Sequence, residues 1–165
     1  LVSYQSAYEK KNKNFYAEPR RIVYFRGGLY VIIYIRRFEK FRLLAIQRIK
    51  HFEVLEEVHP EEPRFDPTLF WKNKFGLFSA NSCHVKVEFS SSARMHIEGR
   101  HWHPSQSFSE GKKGSLILEM DVGLSPELTS WIFSWNEYAK VLEPPELFKK
   151  ISRKIDKLRK IYPTT

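Results

Sequence analysis

Up to about residue 58, apolar positions come in short runs of strand length: residues 1–6, 20–25, 29–35 and 41–54. Turn-forming or charged stretches separate them, namely the polar residues 10–14, the adjacent Gly27 and Gly28, and the charged residues 36–40. Four or five short strands with no helix-period segment predict a small antiparallel barrel over residues 1–58. Residues 59–64, HPEEPR, open a connecting stretch that runs to residue 83. Within it Asp66 is placed to cap a short helix, with Pro67 at its first position.

From residue 84 the periods alternate. Residues 84–89 predict a strand, 91–99 a short helix, 101–109 and 114–122 a hairpin pair, 125–136 a helix and 139–142 a strand. Ser125 caps the second helix and Pro126 opens it, while Leu128, Trp131, Ile132 and Trp135 recur at the spacing of one buried stripe. The order strand, helix, strand, strand, helix, strand is the split βαβ arrangement, so residues 84–165 predict a ferredoxin-like domain. A last helix follows Pro144 and Pro145, with Phe148, Ile151, Ile155, Leu158 and Tyr162 in a narrow seam among many basic residues. Short apolar stripes usually serve their own core, and intramolecular packing is expected of this one. The fold class is α+β.

Charge changes the picture. Of the 165 residues, 28 are Lys or Arg and 19 Asp or Glu, a formal charge of +9 that favours a polyanionic partner. Up to residue 58 the excess is already +6, from twelve basic and six acidic residues, so the expected barrel is the basic half. No apolar run reaches the roughly 18 residues of a membrane span, and no signal peptide is evident. The lone Cys83 cannot form an internal disulfide and fits a reducing compartment; a soluble, cytoplasmic protein is expected. The chain opens at Leu1 with Val2, Ser3 and Tyr4 already strand-like, which reads as a piece of something longer.

The candidate chemistry lies in the run LYVIIYIRRFEKFRLLAIQRI, residues 29–49. An apolar strand that admits Arg42 and Arg48 is either half exposed or holds them for an anion, because an unpaired buried guanidinium is prohibitively costly. Six residues apart on an unbent strand, the two would be anchored about 20 Å apart at roughly 3.3 Å per residue. Such a span suits several linked phosphates, each met by the planar fork of a guanidinium. Tyr30 and Tyr34 share one strand parity, leaving Leu29, Val31, Ile33 and Ile35 to the other, expected core, face. With Tyr4 they could form a stacking platform for single-stranded nucleic acid, or simply half-buried surface. Arg48 could instead pair with Glu53 or Glu56.

Enzymatic and metal chemistry find little support. There is no GxSxG, P-loop or HExxH, and Ser90, Ser91 and Ser92 read as helix-capping residues. Cys83, His84 and the His101-x-His103 pair match no common zinc pattern. Neither catalysis nor a metal or other cofactor is expected.

The run GLYV at 28–31, followed by RLLAIQRI at 42–49, resembles the WYL domain of bacterial transcriptional regulators. Leu29, Tyr30 and Val31 stand at the three naming positions, and VSYQS at 2–6 and the segment from Pro19 to Ile22 stand where the family has its first two strands. VKVEF at 85–89, HWHPSQSF at 101–108, GSLILEMDV at 114–122 and YAKVLEPPEL at 138–147 resemble the C-terminal extension that accompanies WYL domains. Leu29 replaces the family tryptophan, removing a stacking surface, and Gln47 replaces the aspartate beside Arg48, removing a competitor for the arginines.

The resemblance implies an Sm-like or SH3-like barrel that binds an anionic effector, a nucleotide or short single-stranded DNA, through Tyr4, Tyr30, Tyr34, Arg42 and Arg48. It implies control of an attached N-terminal helix-turn-helix, not found here, that would contact duplex DNA. A homodimer is expected. The competing expectation is a constitutive RNA-binding or protein-interaction scaffold using an Sm-like barrel and the basic last helix.

Overall fold

The computed structural model describes residues 1–6, 11–56, 63–78 and 80–163. Residue 10 of the first expected turn and residues 59–62 and 79 of the expected linker lie outside the described residues. The chain divides into two compact units, Leu1–Phe70 and Trp71–Thr165, with the boundary inside the stretch expected to connect two domains.

The first unit contains β1 (Val2–Gln5), β2 (Asn12–Phe15), β3 (Glu18–Phe25), β4 (Gly28–Ile35), β5 (Lys40–Ala45) and β6 (Ile49–Phe52). They pair as two three-stranded antiparallel sheets, β2-β1-β6 and β3-β4-β5, and no closed barrel is found among the described residues. The strand expected over 41–54 is broken: residues Ile46–Arg48 form a 3-10 turn, closed by the Ile49 N–H donating to the Ile46 carbonyl. That corner sends β5 to β4 and β6 to β1.

Strand β2 stands where a polar turn was expected. Its sequence NKNF has little β preference, and pairing with β1, Val2 opposite Phe15, overrides propensity. The β3–β4 hairpin turns on Arg26 and Gly27, both in the left-handed region at φ 46° and 80°, the conformation a two-residue type I′ loop requires.

Buried in this unit are Ile32, Ile33, Leu44 and Ala45. Strand parity therefore does not divide β4 as expected. Ile32, on the tyrosine parity, is fully buried, whereas Leu29 on the supposed core parity is 48% exposed. An aromatic chain runs from Tyr34 to Phe41, Phe65 and Phe70 with ring centroids 5.0–5.4 Å apart. Asp66 Oδ1 accepts from the Thr68 and Leu69 amides and so starts α1 (Pro67–Trp71) as the sequence predicts.

The second unit runs β7 (Ser82–Phe89), α2 (Arg94–Glu98), β8 (Ser107–Glu110), β9 (Leu116–Gly123), α3 (Pro126–Phe133), β10 (Ala139–Glu143) and α4 (Pro145–Ile161). Its four-stranded antiparallel sheet has the order β10-β7-β9-β8, the split βαβ arrangement expected from the element order. Alternation along β7 and β9 buries Val85, Val87, Phe89, Leu116, Leu118, Met120 and Val122 on one face, against Ile97 of α2, Leu128, Trp131 and Ile132 of α3, and Leu147 of α4. Ser125 caps α3 by accepting from the Leu128 amide, 3.1 Å, and donates to the Phe75 carbonyl, 3.0 Å.

Strand β8 begins at Ser107, not His101. The Gln106 side chain accepts from the Trp102 and His103 amides and donates to the Arg100 carbonyl, so these backbone groups are satisfied within a turn. The apolar seam of α4 also departs from expectation. Leu147 is buried and Ile151 packs on the core, but Phe148, Ile155, Leu158 and Tyr162 are 51, 39, 44 and 75% exposed. At about 1.5 Å per residue the helix is about 25 Å long and outruns the core that its first turns seal.

Candidate ligand-binding site

Tyr4 lies on the central strand of one sheet and Tyr30 on the central strand of the other, and both converge on Ala45 at the end of β5. The Ala45 amide donates to the Tyr4 hydroxyl at 3.3 Å, while Tyr30 stands opposite Ala45 in the β4–β5 register. The Tyr30 ring folds back over Gly28, where a Cβ would come within 2.9 Å of Cε2; glycine is what this close approach requires.

Arg42 precedes Ala45 by three residues on β5, and Arg48 follows it by three in the 3-10 turn; both side chains are exposed. Among the described residues neither has a carboxylate partner, so the expected alternative of Arg48 paired with Glu53 or Glu56 is not formed. The internal ion pairs of this unit are made by other residues. Glu18 on β3 takes Arg20 at 2.5 Å and also Arg36, which leaves Arg42 and Arg48 available.

The straight-strand span between the two arginines does not survive the corner. Three residues in a 3-10 turn rise about 2.0 Å each instead of about 3.3 Å and redirect the chain, so the pair is closer and differently aimed than an unbent strand would place it. Beside Arg48 opens a shallow cavity of about 330 Å³ lined by Ile46, Ile49, Lys50, His51 and Phe52. Ile49 is also the cross-strand partner of Tyr4. Lys50 and His51 were missed as candidates because a continuous strand would have spread them along an edge; the basic run RIKH was the available signal.

Tyr34 is not brought to this cluster by its ring packing. It stacks on Phe41 at 5.0 Å and opposes Phe41 and Glu18 in register, as part of the aromatic chain. Arg48, Lys50 and His51 bring a guanidinium, an amine and an imidazole to one short stretch at the cavity, donors suited to an anion with several oxygens, whereas Arg42, opposite Ile33 in register, lies on the other face of β5 from the one Ala45 shares with Tyr30.

The histidine-bearing segments of the second unit do different work. His84 bridges two carboxylates, with Nδ1 3.1 Å from Asp121 and Nε2 3.1 Å from Glu119, and this raises its pKa above the ordinary value, the Asp121 hydrogen bond contributing most. His103 is buried, with Nδ1 2.8 Å from the Ser105 hydroxyl, and burial pushes it down. Cys83 contacts the Val122 carbonyl at 3.5 Å, and burial pushes its thiol up, away from the reactive thiolate. Among the described residues no group of three or more His, Cys, Asp and Glu is disposed to hold a metal, and no helix is long and apolar enough to cross a membrane.

Comparison with known proteins assigns both halves. Residues 1–54 match the WYL domain model, spanning β1 to β6, and residues 81–159 match the WCX domain model, spanning β7 to most of α4. No curated protein sequence matches. A solved structure described as a CRISPR Cas-related protein shares the fold with a TM-score of 0.63 at 13% identity, over 98% of this chain and 46% of that chain. Proteasome accessory factor B/C (PafBC) of Arthrobacter aurescens aligns over 99% of this chain and 25% of its own, at 17% identity and a TM-score of 0.42. This chain spans less than half the length of either structure. The protein carries a WYL domain followed by a WCX domain.

Proposed function

We propose that this chain is the effector-sensing region of a bacterial, cytoplasmic transcriptional regulator. Its WYL domain, folded as an Sm-like barrel, binds an anionic ligand, a nucleotide or short single-stranded DNA, and transmits occupancy to an attached DNA-binding domain in a homodimer. It acts by binding, without catalysis. One observation supports this reading: among the described residues Arg42 and Arg48 are exposed and without carboxylate partners, three residues to either side of Ala45, whose amide donates to the Tyr4 hydroxyl and which stands opposite Tyr30 in register. An exposed arginine kept clear of acids in a unit that already pairs Arg20 and Arg36 to Glu18 is disposed toward an external anion.

Fluorescence anisotropy with short labelled single-stranded DNA and with a cyclic dinucleotide tests it. At low salt one of them is expected to bind. Arg42→Ala and Arg48→Ala should each weaken binding about tenfold or more, the worth of a charge-assisted hydrogen bond of about 1.5–3 kcal/mol. Binding indifferent to both substitutions, or no binding, defeats the reading.

A constitutive RNA-binding role has its own supporting observation: α4 carries Lys149, Lys157 and Lys160 on exposed positions. Diffuse binding through such a helix would fall steeply with salt and show no preference among ligands.

A further inference from the structure

A second cleft, of about 300 Å³, opens in the other unit where β7 ends and β10 begins. One wall is the β7 exit, with Ser90 and Ser91; the other is the β8–β9 connection, with Lys112 and Lys113. The walls are held in place by backbone. The Ser90 amide donates to the Tyr138 carbonyl at 2.9 Å, Gly111 N–H to the Ser115 carbonyl at 2.8 Å, and Ser115 N–H to the Lys112 carbonyl at 3.1 Å.

The connection is tight. Lys113 is in the left-handed region at φ 54°, followed by Gly114 at φ 78°, and a Cβ on Gly111 would meet Ser115 Oγ at 2.1 Å. Lys113 and Gly114 repeat the left-handed pair that Arg26 and Gly27 form between β3 and β4. Asn136 at φ 50° sits just before the Tyr138 side of the cleft.

The chemistry of the lining is specific. Lys112, Lys113 and Lys140 have no carboxylate partner among the described residues, and the buried Ser90 Oγ has no hydrogen-bond partner. Three ammonium groups without carboxylate partners suit an oxygen-rich anion. Yet Glu88, which accepts from Ser115 Oγ at 2.7 Å, and Glu137 also line the cleft. Carboxylates repel a bare anion but accept hydrogen bonds from hydroxyls. Tyr138, 43% exposed, adds a ring face at the side. Its volume lies at the low end of the roughly 300–1,000 Å³ of ligand pockets, a size that suits a small ligand.

We propose that this cleft is a second ligand site that takes a small phosphorylated polyol, a sugar phosphate, with the lysines on the phosphate and Glu88 and Glu137 on the sugar hydroxyls. It is independent of the arginine site in the WYL domain.

Calorimetric titration of the full chain with ribose 5-phosphate at low salt tests it, with inorganic phosphate and ribose as controls. Saturable binding of ribose 5-phosphate is expected, weaker binding of inorganic phosphate and none of ribose. The double variant Lys112→Ala with Lys113→Ala should weaken binding about tenfold or more. Glu137→Gln should narrow the preference for ribose 5-phosphate over inorganic phosphate. Arg42→Ala with Arg48→Ala should leave this titration unchanged even if it abolishes binding at the first site. The proposal is overturned by absence of saturable binding, by inorganic phosphate binding as tightly as ribose 5-phosphate, by indifference to the lysine substitutions, or by loss on the arginine substitutions.

Discussion

Two histidines of the WCX domain sit in opposite environments and titrate on opposite sides of the ordinary value. Asp121 and, less strongly, Glu119 favour the imidazolium of His84, whereas burial favours the neutral ring of His103. A base whose folded pKa is raised contributes stability that is complete below its unfolded value, near 6.5, and is lost as pH rises through the raised folded value. His84 is 47% exposed, so the contribution is small, within the roughly 0–1 kcal/mol of surface pairs. Proton NMR titration should place the His84 transition above that of His103, and Asp121→Asn should lower the His84 midpoint more than Glu119→Gln does. Among single residues, Arg42 and Arg48 are conspicuous in the sequence as arginines in an apolar strand, and the structure leaves both exposed. The pairing of Glu18 with Arg20 and Arg36 was not legible, since Arg36 is brought to Glu18 by the antiparallel fold of β3 on β4 and no local spacing announces it.

Elements with a complete local signature formed as read. The Ser125-Pro126 start and the buried positions Leu128, Trp131 and Ile132 give α3, and the Asp66-Pro67 pair gives α1. Ser125 holds both the α3 amide and the Phe75 carbonyl, so Ser125→Ala should cost about 1–2 kcal/mol, at the upper end for a cap, measurable by urea unfolding. The elements misread are those decided by partners outside the segment. Strand β2 forms because β1 is beside it, and residues 41–54 split because the two halves have different partners. For α4 the pattern gave the helix but not which turns would be covered. Leu147→Ala should cost about 2–5 kcal/mol, while Leu158→Ala should change unfolding by less than about 1 kcal/mol, since one side chain is enclosed and the other is 44% exposed.

At the scale of the whole molecule the two units differ in how much apolar surface they enclose. The WCX domain has a continuous core from Val85 to Leu147, whereas among the described residues the WYL domain encloses little beyond Ile32, Ile33, Leu44 and Ala45. Hydrogen exchange followed by mass spectrometry should therefore find β7 and β9 amides slowest and those of β1 and β2 much faster. Exchange that is slowest in β1 and β2 would contradict this ranking. The order of domains was legible because each has its own strand and helix rhythm, but the pairing of six strands into two sheets was not, because a corner of three residues carries no periodicity of its own. That corner at Ile46–Arg48 joins the last strand of one ladder to the last strand of the other. Arg42 belongs to the first ladder and Arg48 to the joint itself, so a molecule grasped by both would act as a staple across it. On the proposed reading, occupancy would be written into the backbone as a changed angle between two ribbons.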